Sequence, residues 1–282
     1  MGNQGYIADP AIATAIYLAG DLGKPLLIEG DAGVGKTEIA KVLARLHATE
    51  LIRLQCYEGL DVSTALYEWN YPRQMLRVRM EEGAGHSAAE TEATVFGREY
   101  LLERPLLRAL TRPDRAPVLL IDEIDRADEA FEAFLLELLS DFQVTIPELG
   151  TLRAVHVPRV ILTSNSTREI GDALRRRCLY LAIDHPTLEK EVAILHARVP
   201  DASATLAREI ARFVQSLRAQ KLVRSPGVAE SIDWARALAR LHAEHLDLDT
   251  VEATLGCVIK DRRDLRELAP ELVRLVEEAR AS

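Results

Sequence analysis

The sequence predicts an α/β protein: a parallel β-sheet core covered by helices, followed by an all-helical segment. Three observations predict it. Strand-sized apolar runs alternate with helical patterns through the first part of the chain, and strands that are apolar throughout belong to sheets buried on both faces. A glycine-rich turn, Gly30 to Gly35, stands between the first of those strands and the next helix. Beyond Pro186 every periodic segment has the helical repeat and none alternates as a strand does. The expected division is therefore an α/β domain over 1–185 and a helical domain over 186–282.

The elements follow in order. Ile12–Ala19 has a short helical pattern, and Pro25–Glu29 is an apolar strand that ends at Gly30. A helix starts at Lys36, with Ile39, Val42, Leu43 and Leu46 at i, i+3, i+4 and i+7 as its expected buried face. Strands are predicted at Leu51–Gln55, Val118–Ile121, Val160–Thr163 and Leu179–Ile183, with a helix at Glu129–Ser140. An insertion occupies about 57–112; within it Glu81-Glu82-Gly83-Ala84-Gly85-His86-Ser87 is polar and glycine-bearing, as in a loop or protrusion. About 143–156, two short alternating runs flank Glu148-Leu149-Gly150, which predicts a β-hairpin. Helices are expected at Leu188–Val199, Ala204–Gln220, Val228–His245 and Leu268–Ala281.

Composition narrows the function. The chain has 282 residues, enough for one large domain or two modest ones. Its 35 Lys and Arg against 44 Asp and Glu leave a net charge of −9, which removes any general electrostatic attraction to nucleic acid. The three cysteines, Cys56, Cys178 and Cys257, are far apart, so neither a CxxC metal knuckle nor a disulfide scaffold is expected, and a reducing cytoplasm fits. The apolar runs are far shorter than the roughly 20 residues that span a bilayer, and no targeting segment is visible.

Gly30-Asp31-Ala32-Gly33-Val34-Gly35-Lys36-Thr37 matches G-x-x-x-x-G-K-[ST] in the strand-to-helix setting that gives the pattern its meaning. The glycines let backbone N–H groups turn inward around phosphate oxygens, at a helix N-terminus that favours anions. Lys36 is placed to reach the β- and γ-phosphates, and the Thr37 hydroxyl to ligate Mg²⁺. The spacing differs from the G-x-G-x-x-G of dinucleotide-binding loops. Val118–Ile121 delivers Asp122 and Glu123 at its end: one carboxylate suited to hold Mg²⁺, the next to activate a water. Asn165, at the end of the next strand, suits a γ-phosphate or a water without burying another charge. Arg175, Arg176 and Arg177 follow, either a solvated basic patch or the source of an arginine for a neighbouring subunit.

These parts in this order resemble the AAA+ ATPases, members of the P-loop NTPase class, and the resemblance covers almost the whole chain. Within them, DEIDRADEAFEAFLLELLSD is similar to the DEINRAP helix of the MoxR branch, whose helix-two insert and pre-sensor hairpin suit 57–112 and 143–156. PLLIEGDAGVGKTEIAKVLA, LQCYEGLDVSTALYEWNY and DALRRRCLYLAIDHPTLEKEVAIL resemble the accessory ATPase encoded with carbon monoxide dehydrogenases. The resemblance implies that Lys36 and Thr37 are the Walker A pair, Asp122 and Glu123 the Walker B pair, Asn165 sensor 1 and Arg177, just before Cys178, the arginine finger. Arg176 stands where the sibling pattern A-L-R-D-R-F has Asp, so the choice among the three arginines stays open. The usual S-P-R of sensor 2 reads Ser225-Pro226-Gly227; either Arg224 substitutes or the lid does without that contact.

What the resemblance implies is an ATPase using ATP and Mg²⁺, a ring homo-oligomer, commonly a hexamer, that remodels a client. The client class it points to is a metalloenzyme such as a molybdenum hydroxylase, with a von Willebrand A domain protein as partner. The alternative is a nucleic-acid AAA+ ATPase of clamp-loader or helicase-loader type, against which the charge of −9 counts. A nucleotide switch with little turnover is a third reading, and the intact Glu123 favours turnover. His242 and His245 at i, i+3 with Cys257 lack further ligands at suitable spacing and are expected to be surface residues, not a metal site. Tyr67, Trp69 and Tyr71 are aromatics at alternating positions, as in strand or core packing, or as a grip on a client.

Overall fold

The computed structural model describes residues 6–84 and 95–281. Gly85 to Ser87 of the expected polar loop lie outside the described residues. Two compact units result.

One unit comprises Pro10–Glu29 and Ala40–Leu181. In chain order its elements are α1 (Pro10–Asp21), β1 (Leu26–Glu29), the later turns of α2 (Lys36–Leu46), β2 (Leu51–Gln55), α3 (Val62–Ala65), β3 (Tyr67–Trp69), α4 (Tyr71–Ala84), β4 (Leu101–Glu103), α5 (Pro105–Thr111), β5 (Val118–Asp122), α6 (Glu129–Asp141), β6 (Gln143–Ile146), β7 (Gly150–Arg153), β8 (Arg159–Ser164), α7 (Asp172–Arg177) and β9 (Leu179–Ala182). The central sheet has the order β2-β5-β8-β1-β9, and β2 with β5, β5 with β8 and β8 with β1 pair in parallel. Every residue of β1 and β5 is buried, as continuous apolar runs require, whereas β2 alternates as an edge strand does. Leu27, Leu119, Ile121, Phe131, Leu135 and Leu162 join strands to helices in one core.

Local signals explain the helix ends. Asp128 caps α6 by accepting from the Phe131 N–H (2.8 Å), and Glu129 and Glu132 complement the helix dipole in its first turn. Phe142, left-handed at φ 48°, ends that helix and turns the chain into β6. β6 and β7 form the expected hairpin, Ile146 opposite Gly150 across Pro147-Glu148-Leu149. Among the described residues of the insertion, β3 pairs antiparallel with β4, and Trp69 is buried edge-to-face against Tyr67 and Phe96. Trp69 is therefore core, while Tyr71 is exposed on α4. Leu46, expected on the buried face of α2, is exposed, because the helix ends there and Ala48 turns left-handed.

The other unit joins the chain up to Asp9, Gly30–Ile39 and everything from Ala182 onward. After β9 it is helical: α8 (Leu188–Arg198), α9 (Ala204–Arg218), α10 (Val228–Arg240), α11 (Leu248–Thr254), α12 (Arg262–Leu268) and α13 (Leu272–Arg280). Leu195, Leu206, Ile210, Phe213, Trp234 and Leu275 form its core. α10 stops earlier than its periodicity suggests, since His242 is left-handed at φ 56°. His242 and His245 thus lie beyond the helix, and the His245 Nδ1 meets Glu209 Oε1 (2.9 Å). Among the described residues no group of three or more His, Cys, Asp or Glu is arranged to hold a metal ion, and no helix is long and apolar enough to cross a membrane. α11 is too short for periodicity to show it, and the Ala269-Pro270-Glu271 turn separates α12 from α13.

A buried ion pair pins α8 to α9. Arg218 donates through both terminal nitrogens to Glu191 (2.6 and 2.8 Å), and Ser231 of α10 donates to the same carboxylate (2.7 Å). Glu191 is fully buried. Arg218→Ala strands that charge, and by the magnitudes known for broken buried pairs should cost about 3–5 kcal/mol. Chemical denaturation followed by far-UV circular dichroism checks this; an unchanged midpoint would refute it.

Candidate functional site

The phosphate-loop segment runs from the end of β1 into α2. Lys36 is buried, and its ammonium donates back to the carbonyls of Gly30 (2.6 Å) and Asp31 (2.8 Å), so it sits within the curl of its own loop. Thr37 follows in the first turn of α2. Two glycines are there for close approach: a Cβ on Gly30 would lie 2.0 Å from the Ile183 carbonyl oxygen, and one on Gly33, at φ +81°, would lie 2.8 Å from the Gly227 Cα. At Gly35 an added Cβ would meet nothing within 4 Å, so that part of the loop is open. Asp31, Ala32 and Gly33 are exposed and Val34 is buried. The His185 Nε2 stands 3.5 Å from Asp31 Oδ2; burial and then the Arg218 charge hold that imidazole below its ordinary pKa.

The carboxylates lie at the sheet edge where parallel strands end together. Asp122 closes β5 opposite Gln55 of β2, Ile121 lies opposite Leu162 of β8, and Glu29 of β1 lies opposite Ser164. Asp122 is buried; its Oδ1 accepts from the Thr163 hydroxyl (2.5 Å), and its Oδ2 accepts from Arg53 Nε (3.0 Å) and Nη2 (2.6 Å). Thr163 accepts in turn from the Glu123 N–H (3.0 Å), so one hydroxyl holds both acids of the pair. Glu123 itself is left-handed, φ 56° and ψ 51°. That conformation is unfavourable for a residue with a side chain. Its carboxylate is partly exposed and meets Arg126 (3.2 Å). Cys56, whose N–H extends the ladder to the Asp122 carbonyl (2.8 Å), has its thiol pKa pushed up to about 12 by burial and then by Asp122.

Asn165 follows β8 directly. Its N–H donates to Asp125 Oδ2 (3.2 Å), which also accepts from the Thr167 N–H (3.0 Å) and hydroxyl (2.6 Å). Burial pushes the Asp125 carboxyl pKa up, but these hydrogen bonds outweigh it and hold the group below its ordinary pKa. Farther along, Glu132 of α6 accepts from the Gly171 N–H (2.8 Å) and pairs with Arg168, fixing the turn that starts α7. On α7, Arg175 is engaged within the chain, paired with Glu29 (2.6 Å) and over the Tyr180 ring at 5.4 Å. Arg176 and Arg177 are exposed.

Comparison with known proteins shows the family of the chain. Residues 25–178 match the AAA domain (dynein-related subfamily). The chain belongs to that AAA family. A curated relative, an uncharacterized protein of Staphylococcus aureus, is 26% identical over 172 residues, covering 58% of this chain and 57% of its own length. Among solved structures, a variant of RuvB from Thermotoga maritima aligns over 90% of this chain and 68% of its own, at 19% identity and a TM-score of 0.50. A Cytophaga hutchinsonii protein provisionally described as an ATPase aligns over 98% and 91%, at 13% identity and a TM-score of 0.48. At these identities the RuvB likeness concerns the fold alone.

In this AAA chain the structure gathers Asp122, Glu123 and Asn165 at one sheet edge, and Gly30–Thr37 into one loop. Sequence reasoning missed Arg53, Thr163, Asp125 and Glu132. Arg53 and Gln55 alternate outward on β2, so a signal existed for a cation beside β5, but nothing in sequence named Asp122 as its partner. Because the folded-state pKa of Asp125 is depressed, its contribution is present above the unfolded-state value and lost as pH falls through the folded one. Asp125→Asn should therefore destabilise by about 2 kcal/mol near neutrality, with the difference from wild type shrinking as pH drops below the ordinary carboxylate range. Urea denaturation at several pH values checks the slope; a difference that grows toward acid would refute it.

Proposed function

We propose that this chain binds ATP with Mg²⁺ at the Gly30–Thr37 loop and hydrolyses it to ADP and phosphate. The observation that carries the reading is the shared strand edge. β1, β5 and β8 end together, Asp122, Glu123 and Asn165 stand there, and the chain passes straight from Glu29 into Gly30. The backbone N–H groups of Gly30, Asp31, Ala32, Gly33, Val34 and Gly35 and the Lys36 ammonium bind phosphate oxygens. Thr37 and Asp122 offer hydroxyl and carboxylate oxygens, the hard donors that Mg²⁺ takes, so the residues fit the ion. When bound, that cation offsets charge on the β- and γ-phosphates. Thr163 and Arg53 hold the Asp122 carboxylate in place. Glu123 accepts the proton of the attacking water, and Asn165 orients that water or the γ-phosphate.

Around that chemistry we propose a cytoplasmic ring ATPase of the MoxR type, six-membered by resemblance, with residues 186–282 as its lid. Its client is a metalloenzyme of the molybdenum-hydroxylase kind and its partner a von Willebrand A domain protein. The insertion with its own β3–β4 pair and the β6–β7 hairpin support this branch, and the net charge of −9 favours a protein client over nucleic acid. Arg177, exposed while Arg175 is tied to Glu29, is the residue we assign to the neighbouring subunit's γ-phosphate.

Two experiments test these roles. Lys36→Ala should abolish ATP binding, whereas Glu123→Gln should bind ATP and lose turnover, because the ammonium meets ground-state phosphates and the carboxylate acts as water attacks. Calorimetric affinity and phosphate release decide it, and equal loss of binding in both variants would sink the assignment. Arg177→Ala should bind ATP yet turn over roughly 10³–10⁵ more slowly. Mixed with Lys36→Ala it should regain activity, since an intact loop then meets an intact arginine; co-assembled but inactive mixtures would place the arginine's role within its own chain.

A further inference from the structure

The phosphate loop and the turn into α10 belong to one compact unit, and their backbones meet directly. The Val228 N–H donates to the Gly33 carbonyl (2.9 Å). A Cβ built on Gly227 would fall 2.6 Å from the Gly33 Cα, and one on Gly33 would fall 2.8 Å from the Gly227 Cα. Real Cβ atoms do not approach backbone so closely, so the contact exists only because both residues are glycine. The turn is braced from behind: Arg218 Nε donates to the Pro226 carbonyl (2.8 Å), the Ser231 hydroxyl to the Gly227 carbonyl (3.2 Å), and the Gly227 N–H to Glu230 Oε2 (3.0 Å). Just upstream, the fully buried Asp264 accepts from the N–H groups of Val223 (2.9 Å) and Arg224 (3.1 Å). The Arg224 residue is exposed.

We infer that the Gly227–Val228 turn is a positioning element for nucleotide binding, holding the Gly33–Val34 peptide so that the Val34 N–H faces the phosphate. In a planar trans peptide the C=O and the following N–H point in opposite directions. The Gly33 carbonyl, fixed on Val228, therefore turns the Val34 N–H away from the lid turn, as a backbone nest that binds an anion requires. The same contact explains Gly227 where the resemblance leads one to expect an arginine: any side chain at 227 strikes Gly33. The inference rests on ATP binding at the loop. It adds that the lid couples to nucleotide through a backbone hydrogen bond.

Val228 occupies the first position of α10, where proline is tolerated, and Gly227 at φ −87°, ψ −177° is extended, as a residue before proline must be. Val228→Pro thus removes the donor, and puts a ring carbon in place of its hydrogen, while leaving the helix's own hydrogen bonds intact. Val228→Ala keeps the donor and is the control. The probe is ADP with the full-length chain, by calorimetry, together with amide exchange at the start of α10. Val228→Pro should weaken ADP about tenfold, with Val228→Ala within about twofold of wild type, the loss expected for one hydrogen bond that orients a second. In wild type, ADP should slow exchange of the Val228 N–H, a response that a merely structural contact would not give. If Val228→Pro fails to fold, Gly227→Ala, whose backbone angles suit alanine, should show the same loss. Equal ADP affinity in the folded variant and wild type, or no effect of ADP on Val228 exchange, overturns the inference. Failure of wild type itself to bind ADP would overturn the reading on which it rests.

Discussion

A carboxylate at the end of a strand buried on both faces is the constraint on which the sheet-bearing unit depends. β5 lies between β2 and β8, and Asp122 at its end is nearly excluded from water. An ionised group in such a place costs several kcal/mol unless charge and hydrogen bonds offset the lost hydration. Both neighbours supply them: Arg53 from β2 a cation, Thr163 from β8 a hydroxyl. Parallel pairing in this register is what puts those two side chains beside Asp122, so strand order sets the acid's partners.

From there the strain at Glu123 makes sense. The residue leaves β5 in a left-handed conformation that only a surrounding network holds, and its N–H is held by the Thr163 hydroxyl already committed to Asp122. A β-sheet places successive side chains on opposite faces. The left-handed turn after Asp122 breaks that alternation and leaves both acids near the same edge. Asn165 is set by the same logic from β8, through Asp125 rather than through its own strand.

The apolar strands were readable because a buried parallel strand must be apolar over its length, and the phosphate loop because glycine, lysine and threonine have few other reasons to stand in that order. The ends of elements were less so. α10 has helical periodicity well past Arg240, yet His242 in a left-handed conformation stops it, and nothing in the pattern says so. In the insertion the alternation of Tyr67 and Trp69 was readable as strand or core packing, whereas the pairing of β3 with β4, three residues each, was not, since it brings Trp69 and Tyr67 together with Phe96 far along the chain. Arg53 and Gly227 were legible as residues but not as contacts, since each has meaning only through a partner far along the chain.

The acidic character of the chain is partly structural. Asp125 accepts from the backbone of Asn165 and Thr167, Glu132 from Gly171, Glu209 from Leu246, and Asp264 from Val223 and Arg224. All four acids are buried, and each satisfies N–H groups of a turn that would otherwise be left without partners. Three of those turns lead to pieces used here: the residues after β8, the arginine helix α7 and the lid turn against Gly33. A carboxylate serves this better than a neutral amide, because it only accepts and takes two or three donors at once. The excess of acidic over basic residues is therefore, in these places, the means by which turns are held at fixed geometry.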